Sequence, residues 1–320
     1  MKHPYLINLN DPEDVAEHHV DQDRNAGFIK ERIDLLVENI DYNDTHELTR
    51  SVFYAGDVMD NHVAKRGCET MIVLDGEIEL THRGKRCKVT PGDIMHLGPF
   101  ESHRMHFLTD ITWVGYFNTM NIIQPCADKE LLSANCPEMT DEELADVFGV
   151  SYDLWYLKEA VAEDAPKAEV SAVREPGFAH AEFDVDGAKL RLKVGRWETA
   201  GEFELWQIVG EKGFYAVCPK PCLKPNIFFV TEGKVRFKVF NEEFVASEKN
   251  VVHLPPYAIF SYEVEENAKM YDYSIGCMRY DLLSELKSYS TYEPEKLNDP
   301  DFVAALRKKW GGYITEYGKR

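Results

Sequence analysis

Apolar positions along the chain come in short runs rich in Val, Ile and Phe, punctuated by Gly, Pro or Asn. The stretches TMIVLDGEIEL (residues 70–80) and NIFFVTEGKVRFKVF (226–240) each read as strand, tight turn, strand, with the turns at Asp75-Gly76 and Glu232-Gly233. Several such strands at regular spacing predict an antiparallel sandwich or barrel. Helical patterns lie elsewhere. In MTDEELADVFGV, Thr140 followed by Glu143 is a capping-box start, and SYDLWYLKEAVAED predicts a second amphipathic helix. Near the C-terminus, the stretch from Asn298 has a polar cap, Pro300 in the first turn, basic residues in the last turn and Gly311 beyond it.

The strand pattern repeats. Shifting the chain by 157 residues lays 61–103 on 218–260 without a gap, so that Gly76 meets Gly233, while His96, Leu97 and Pro99 meet His253, Leu254 and Pro256. Two copies predict two barrels. The expected layout is an N-terminal arm (1–49), a first barrel (50–120), a helical and loop connector (121–180), a second barrel (181–280) and a helical tail (281–320).

Composition narrows the partners. The 320 residues are 44% hydrophobic, enough for sizeable cores, and 36 Lys and Arg against 56 Asp and Glu leave a net charge of −20. That charge repels phosphates and anionic lipid, so neither nucleic acid nor a membrane surface is an expected partner. The N-terminus lacks the basic start and apolar core of a signal peptide, and no apolar run approaches the ~18 residues of a membrane span, which makes cytoplasmic the default location. Seven cysteines at irregular positions read as reduced thiols rather than a disulfide framework, and the close pair Cys218 and Cys222 lacks further zinc ligands at finger-like spacing.

The candidate chemistry lies in NHVAKRGCETMIVLDGEIEL, residues 61–80, and in PGDIMHLGPFESH, residues 91–103. Gly56, His62, Glu69 and Gly76 fall on the marks of a Gly, five residues, His-x-His, three or four residues, Glu, six residues, Gly pattern, with Ala64 in place of the second histidine. Gly92 and His103 fall on those of Gly, five residues, Pro-x-Gly, two residues, His, with Gly98 and Phe100 at the Pro and inner Gly positions. These motifs resemble those of the cupin superfamily, and the repeat resembles a bicupin. The resemblance covers about 60 residues of each half. It implies an all-β dominated fold of two antiparallel β-barrels (double-stranded β-helix or jelly-roll), with a few short helices in the connector and C-terminus.

The resemblance further implies that His62, Glu69 and His103 bind one divalent metal, since neighbouring antiparallel strands bring same-face side chains together inside a barrel. Two imidazoles and a carboxylate suit Fe(II) first, with Mn(II), Zn(II) or Ni(II) as alternatives, and leave coordination positions open. Ala64 is the departure, and an emptied barrel is the competing reading. In the second copy Pro219, Asn226 and Phe260 replace the three ligands, so no metal is expected there, and Phe228, Phe229, Phe237, Phe240 and Tyr257 are expected to fill it. His96 is left out of the metal set because His253 persists in the copy without ligands. Arg104 should turn away from the ligands by strand alternation.

No G-x-S-x-G elbow, P-loop or dinucleotide fingerprint is present. By resemblance, the expected activity is that of a metal-dependent, dioxygenase-like oxidoreductase on a small aromatic or carboxylate-bearing substrate, as in bicupins of the gentisate and quercetinase types. A Lewis-acid isomerase or lyase and a non-catalytic small-ligand binder are the alternatives. Phe53, Tyr54, Trp113 and Tyr116 are pocket-wall candidates, and a homodimer is the expected assembly.

Overall fold

The computed structural model describes residues 3–16, 19–20, 31–37, 46–64, 67–118, 171–218, 224–276, 278–310 and 316–320, with short pieces (134–140, 143, 146–147, 154–156) between. Strand dominates among the described residues. The chain forms two compact units, one of residues 16–178 and one of residues 1–15 with 179–320.

In the first unit, a seven-stranded sheet runs in the order Val173–Arg174, Ile94–Leu97, Cys68–Asp75, Ile111–Asn118, His46–Phe53, Glu31–Val37, His19–Val20. A five-stranded sheet runs Leu154–Tyr156, Val58–Ala64, His103–Phe107, Ile78–His82, Lys85–Val89. Side chains of both sheets share one core that includes Phe53, Met71, Val73, Leu80, Met95, Met105, Phe107 and Trp113. Strand alternation contributes: on strands such as Ile78–His82 and His103–Phe107, alternate residues face the space between the sheets.

The 157-residue shift reaches well beyond the stretch first aligned. Glu31–Val37 falls on Ala188–Val194, His46–Phe53 on Phe203–Gly210, and Ile111–Asn118 on the second half of Phe260–Ile275. Backbone oddities repeat as well. Arg83 and Phe240 have φ of 50° and 51°, and Phe100 and Tyr257 have φ of 63° and 69°. Gly76 and Gly233 are the sharpest pair: a Cβ on either would lie 2.1 Å from a carbonyl oxygen, that of Asp110 or of Asn267, which are themselves one shift apart. Only glycine fits both the positive φ and the close approach.

Each unit is edged by a strand from the other half of the sequence. Leu6–Asn8 pairs with Asn250–Val252, and the His253 amide donates to the Tyr5 carbonyl at 3.0 Å. Val173–Arg174 pairs with Ile94 and Met95, and the His96 amide donates to the Ala172 carbonyl at 2.8 Å. The two additions occupy the same place on the repeated strand. The N-terminal segment 1–49 is thus divided, its first residues completing the C-terminal unit.

Among helices, Thr140 and Glu143 form the expected capping box, with the Thr140 amide donating to Glu143 Oε2 at 2.8 Å and the Glu143 amide to Thr140 Oγ1 at 3.3 Å. Pro300–Lys309 is helical, and the Asp299 side chain accepts from the amides of Asp301 and Phe302. A longer helix, Arg279–Tyr292, precedes it. The helix expected over SYDLWYLKEAVAED is corrected at its centre: Leu154–Tyr156 is a strand paired with Val58–Ala64, and the residues around it lie outside the described ones. Cys126, Cys222 and Cys277 also lie outside the described residues. Among the described residues, no helix is long and apolar enough to cross a membrane.

Candidate metal centre in the first barrel

His62 and His103 sit opposite one another on adjacent antiparallel strands of the five-stranded sheet, in direct register. Directly paired residues share a face, and their rings stand 4.1 Å apart, centroid to centroid, at 61°. Glu69 comes from the seven-stranded sheet, second in the Cys68–Asp75 strand. It points into the same space, with His103 Nε2 to Glu69 Oε2 at 3.6 Å, too long for a hydrogen bond. One ligand atom from each of the three residues lies within 4.8 Å of the others, and all three residues are buried. His103 is 1% exposed, His62 4% and Glu69 6%. The sequence therefore brings donors 41 positions apart to one point.

The surroundings prepare the donors. His103 Nδ1 lies 3.0 Å from the Glu101 carbonyl oxygen, so Nδ1–H donates there and Nε2 turns its lone pair inward. That Nε2 is buried with no hydrogen-bond partner. Burial opposes charge on the Glu69 carboxyl, yet His103 and then His62 hold it below the ordinary carboxylate range. Burial likewise pulls His103 down, but Glu69 and the Glu101 carbonyl hold it above the ordinary histidine value. A buried, three-donor set of two imidazoles and a carboxylate, with an unpartnered Nε2 facing it, fits a first-row divalent metal ion.

Ala64 is 4% exposed and packs within the apolar core, two residues beyond His62 and on the same face, where it offers no donor. His96 is engaged elsewhere, its Nδ1 lying 2.8 Å from Thr70 Oγ1. Of the wall candidates, Phe53 and Trp113 belong to the core, with Phe53 stacked on Phe107 at 4.4 Å and 4.5 Å from Trp113. Tyr116 is fully buried but shares the parity of Val114, opposite to Trp113 and Phe117, and Tyr54 is 46% exposed beyond the strand end.

One interior residue escaped the sequence reading. His82 ends the Ile78–His82 strand and stands in register with His103 on the side away from His62. It is 2% exposed, and its Nε2 lies 3.7 Å from Glu101 Oε2. Burial holds it below the ordinary histidine value despite Glu101. The signal available was the two-residue period Ile78, Leu80, His82, which continues the core face to the histidine.

In the second barrel, Asn226 and Phe260 stand buried where Glu69 and His103 stand in the first, and Pro219 lies outside the described residues. Phe228 and Phe237 fill the interior with Tyr262. Phe229 is buried on the opposite parity. Phe240 and Tyr257, expected inside, are instead 48% and 50% exposed, because both occupy left-handed turn positions. Beside Trp206 and Phe228 a buried Asp272 pairs with Arg279 at 2.7 Å.

The Cupin domain family model matches residues 50–114, the span that carries His62, Glu69 and His103. The first barrel is a cupin domain, and the fold of the chain is that of a bicupin. A quercetin 2,3-dioxygenase of Bacillus subtilis is 24% identical to this bicupin over 228 residues, 66% of this chain and 67% of the relative. An oxalate decarboxylase of Bacillus subtilis matches at 13% identity over 100% of this chain and 90% of that one, with a TM-score of 0.50. An 11S globulin from Wrightia tinctoria, in a structure described as revealing an auxin binding site, matches at 10% identity over 81% of each chain, with a TM-score of 0.51. Structural likeness at such identities concerns the fold alone.

Proposed function

We propose that this bicupin is a metal-dependent enzyme, a dioxygenase-like oxidoreductase acting on a small aromatic or carboxylate-bearing substrate in its first barrel. His62, Glu69 and His103 are the metal ligands in this reading, with Fe(II) the first choice and Mn(II), Zn(II) or Ni(II) compatible with the same donors. The observation that carries it is the convergence of three buried donor atoms within 4.8 Å of one another, drawn from both sheets. The name of the quercetin 2,3-dioxygenase relative supports the reaction class.

A bound divalent ion supplies a Lewis acid with open positions, and a redox-active one lets electron density pass between an organic oxygen donor and dioxygen. The chain does the rest. Glu69 balances part of the positive charge, and the Glu101 carbonyl fixes the His103 ring so that Nε2 faces inward. Phe53, Phe107 and Trp113 keep water from the far end of the space. Ala64 contributes a methyl group where another donor could stand, leaving one more position for substrate.

Ala64 also favours a second reading, a small-ligand binder without catalysis. Turnover in air separates the two: protein loaded with Fe(II) should consume dioxygen with a flavonol, a hydroxylated aromatic acid or a 2-oxo acid, and a loaded protein inert to the whole panel contradicts the enzyme. His103→Ala should lower metal content at least ~10-fold. A homodimer is the assembly we propose, because exposed strand edges such as Lys85–Val89 gain from being covered.

A further inference from the structure

His82 and Glu101 lie outside the donor set and outside the motifs. We propose that His82, backed by Glu101, contacts substrate in the first barrel, hydrogen-bonding one oxygen of a small molecule whose other oxygen function sits at the His62, Glu69 and His103 donors. The inference deepens the function proposed above and rests on it.

Register comes first. His62, His103 and His82 form one row across three adjacent strands, since His103 pairs directly with both. Ile78 and Leu80, two and four residues before His82, belong to the core, so His82 faces the same interior. It is not among the residues whose donor atoms converge within 4.8 Å.

Satisfaction comes second. His82 Nε2 is buried without a hydrogen-bond partner, since Glu101 Oε2 at 3.7 Å is beyond reach of one. A buried polar atom left unpaired is costly, and a bound ligand is one way to satisfy it. Thr49 Oγ1 and Trp113 Nε1, on strands whose same-parity neighbours line the core, are buried and unpartnered too. Glu101 itself is held firmly: its Oε2 accepts from the Gly98 amide at 2.9 Å, its other oxygen pairs with Arg83, and its carbonyl holds His103. One residue thus ties the His82 wall to a proposed ligand.

The repeat supplies a third, independent observation. One shift of 157 residues turns His82 into Val239 and Glu101 into Ala258, and both replacements are fully buried in the apolar core of the second barrel. The pair disappears where Glu69 and His103 have become Asn226 and Phe260. His96 behaves oppositely, persisting as His253, as expected of a residue that serves the fold.

Adjacent strands are ~4.8 Å apart, so a small molecule held at the donor set lies within reach of the His82 side chain on the neighbouring strand. Hydroxylated aromatics and hydroxy acids have an oxygen for each. Compounds with a single oxygen function do not.

The test uses His82→Leu and His82→Gln in the full chain, reconstituted with Fe(II) and titrated without air with quercetin and with catechol. His82→Leu should keep wild-type metal content and a Tm at or above that of wild type, because an unpartnered buried group has gone. Its affinity for whichever probe binds wild type should fall ~10–100-fold, and His82→Gln, which can still hydrogen-bond, should recover most of it. Loss of metal, a drop in Tm beyond about 4 °C, or unchanged affinity in His82→Leu overturns the proposal. Wild-type protein that holds metal yet binds neither probe overturns the substrate class assigned here. Wild-type protein that holds no metal overturns the function proposed above instead, and the Tm of His82→Leu still decides whether His82 serves the fold.

Discussion

Single side chains carry the site, and their backbones decide whether it forms. Gly76 closes the turn after the strand that delivers Glu69, and a Cβ there would meet the Asp110 carbonyl oxygen at 2.1 Å. Gly76→Ala should therefore cost on the order of 3 kcal/mol or more, read as a lower Tm, whereas Gly84→Ala, with nothing within 4 Å of the added Cβ, should cost far less. Equal losses would show that the close approach does not matter. At this scale His62, Glu69, His103 and Gly76 were legible in the sequence because a motif spacing marks all four. His82 and Glu101 were not. They lie 19 residues apart, and only the pairing of the Ile78–His82 strand with His103–Phe107 puts them on one wall.

Elements are held in place by their edges. Ile7 is 8% exposed in the strand that pairs with Asn250–Val252, so Ile7→Ala should cost about 2 kcal/mol, and unfolding monitored by calorimetry should show it. On the same edge, burial drives His253 from 6.5 down to about 4. The folded state then disfavours the proton that the unfolded chain accepts, so stability is full above about pH 6.5, declines as pH falls, and levels near pH 4. The shift caps the effect at about 3 kcal/mol. His253→Asn should flatten urea midpoints measured across that window, and an unchanged slope would assign acid lability to other groups.

Strands read well from sequence at this scale because short apolar runs are bounded by turn residues, some alternating as in His103–Phe107 and some buried on both faces as in Cys68–Asp75 and Phe203–Gly210. The stretch around Leu154–Tyr156 did not, since its apolar positions satisfy helical spacing as readily as strand spacing. The open edge of Val58–Ala64 decided the matter by pairing with it.

The whole molecule is one pattern used twice with different interiors. Spacing alone aligned 61–103 with 218–260, while the structure carries the match outward through Glu31–Val37 and Ile111–Asn118. Those outer strands share Leu35 with Leu192, Val37 with Val194 and Tyr116 with Tyr273, identities too scattered to anchor the match without the backbone geometry. The exchange of edge strands was equally hidden, because pairing between residues 78 positions apart (Met95 and Val173) or 246 apart (Leu6 and Val252) leaves no local mark. The two interiors differ in chemistry: three converging donors in the first, Asn226, Phe260 and an Asp272–Arg279 pair in the second. This asymmetry is the central claim, and metal stoichiometry tests it most directly. Protein reconstituted with Fe(II) without air, freed of excess ion and assayed by elemental analysis, should hold one equivalent per chain in wild type and essentially none in His103→Ala. No metal in wild type, two equivalents per chain, or one equivalent retained by His103→Ala would contradict it.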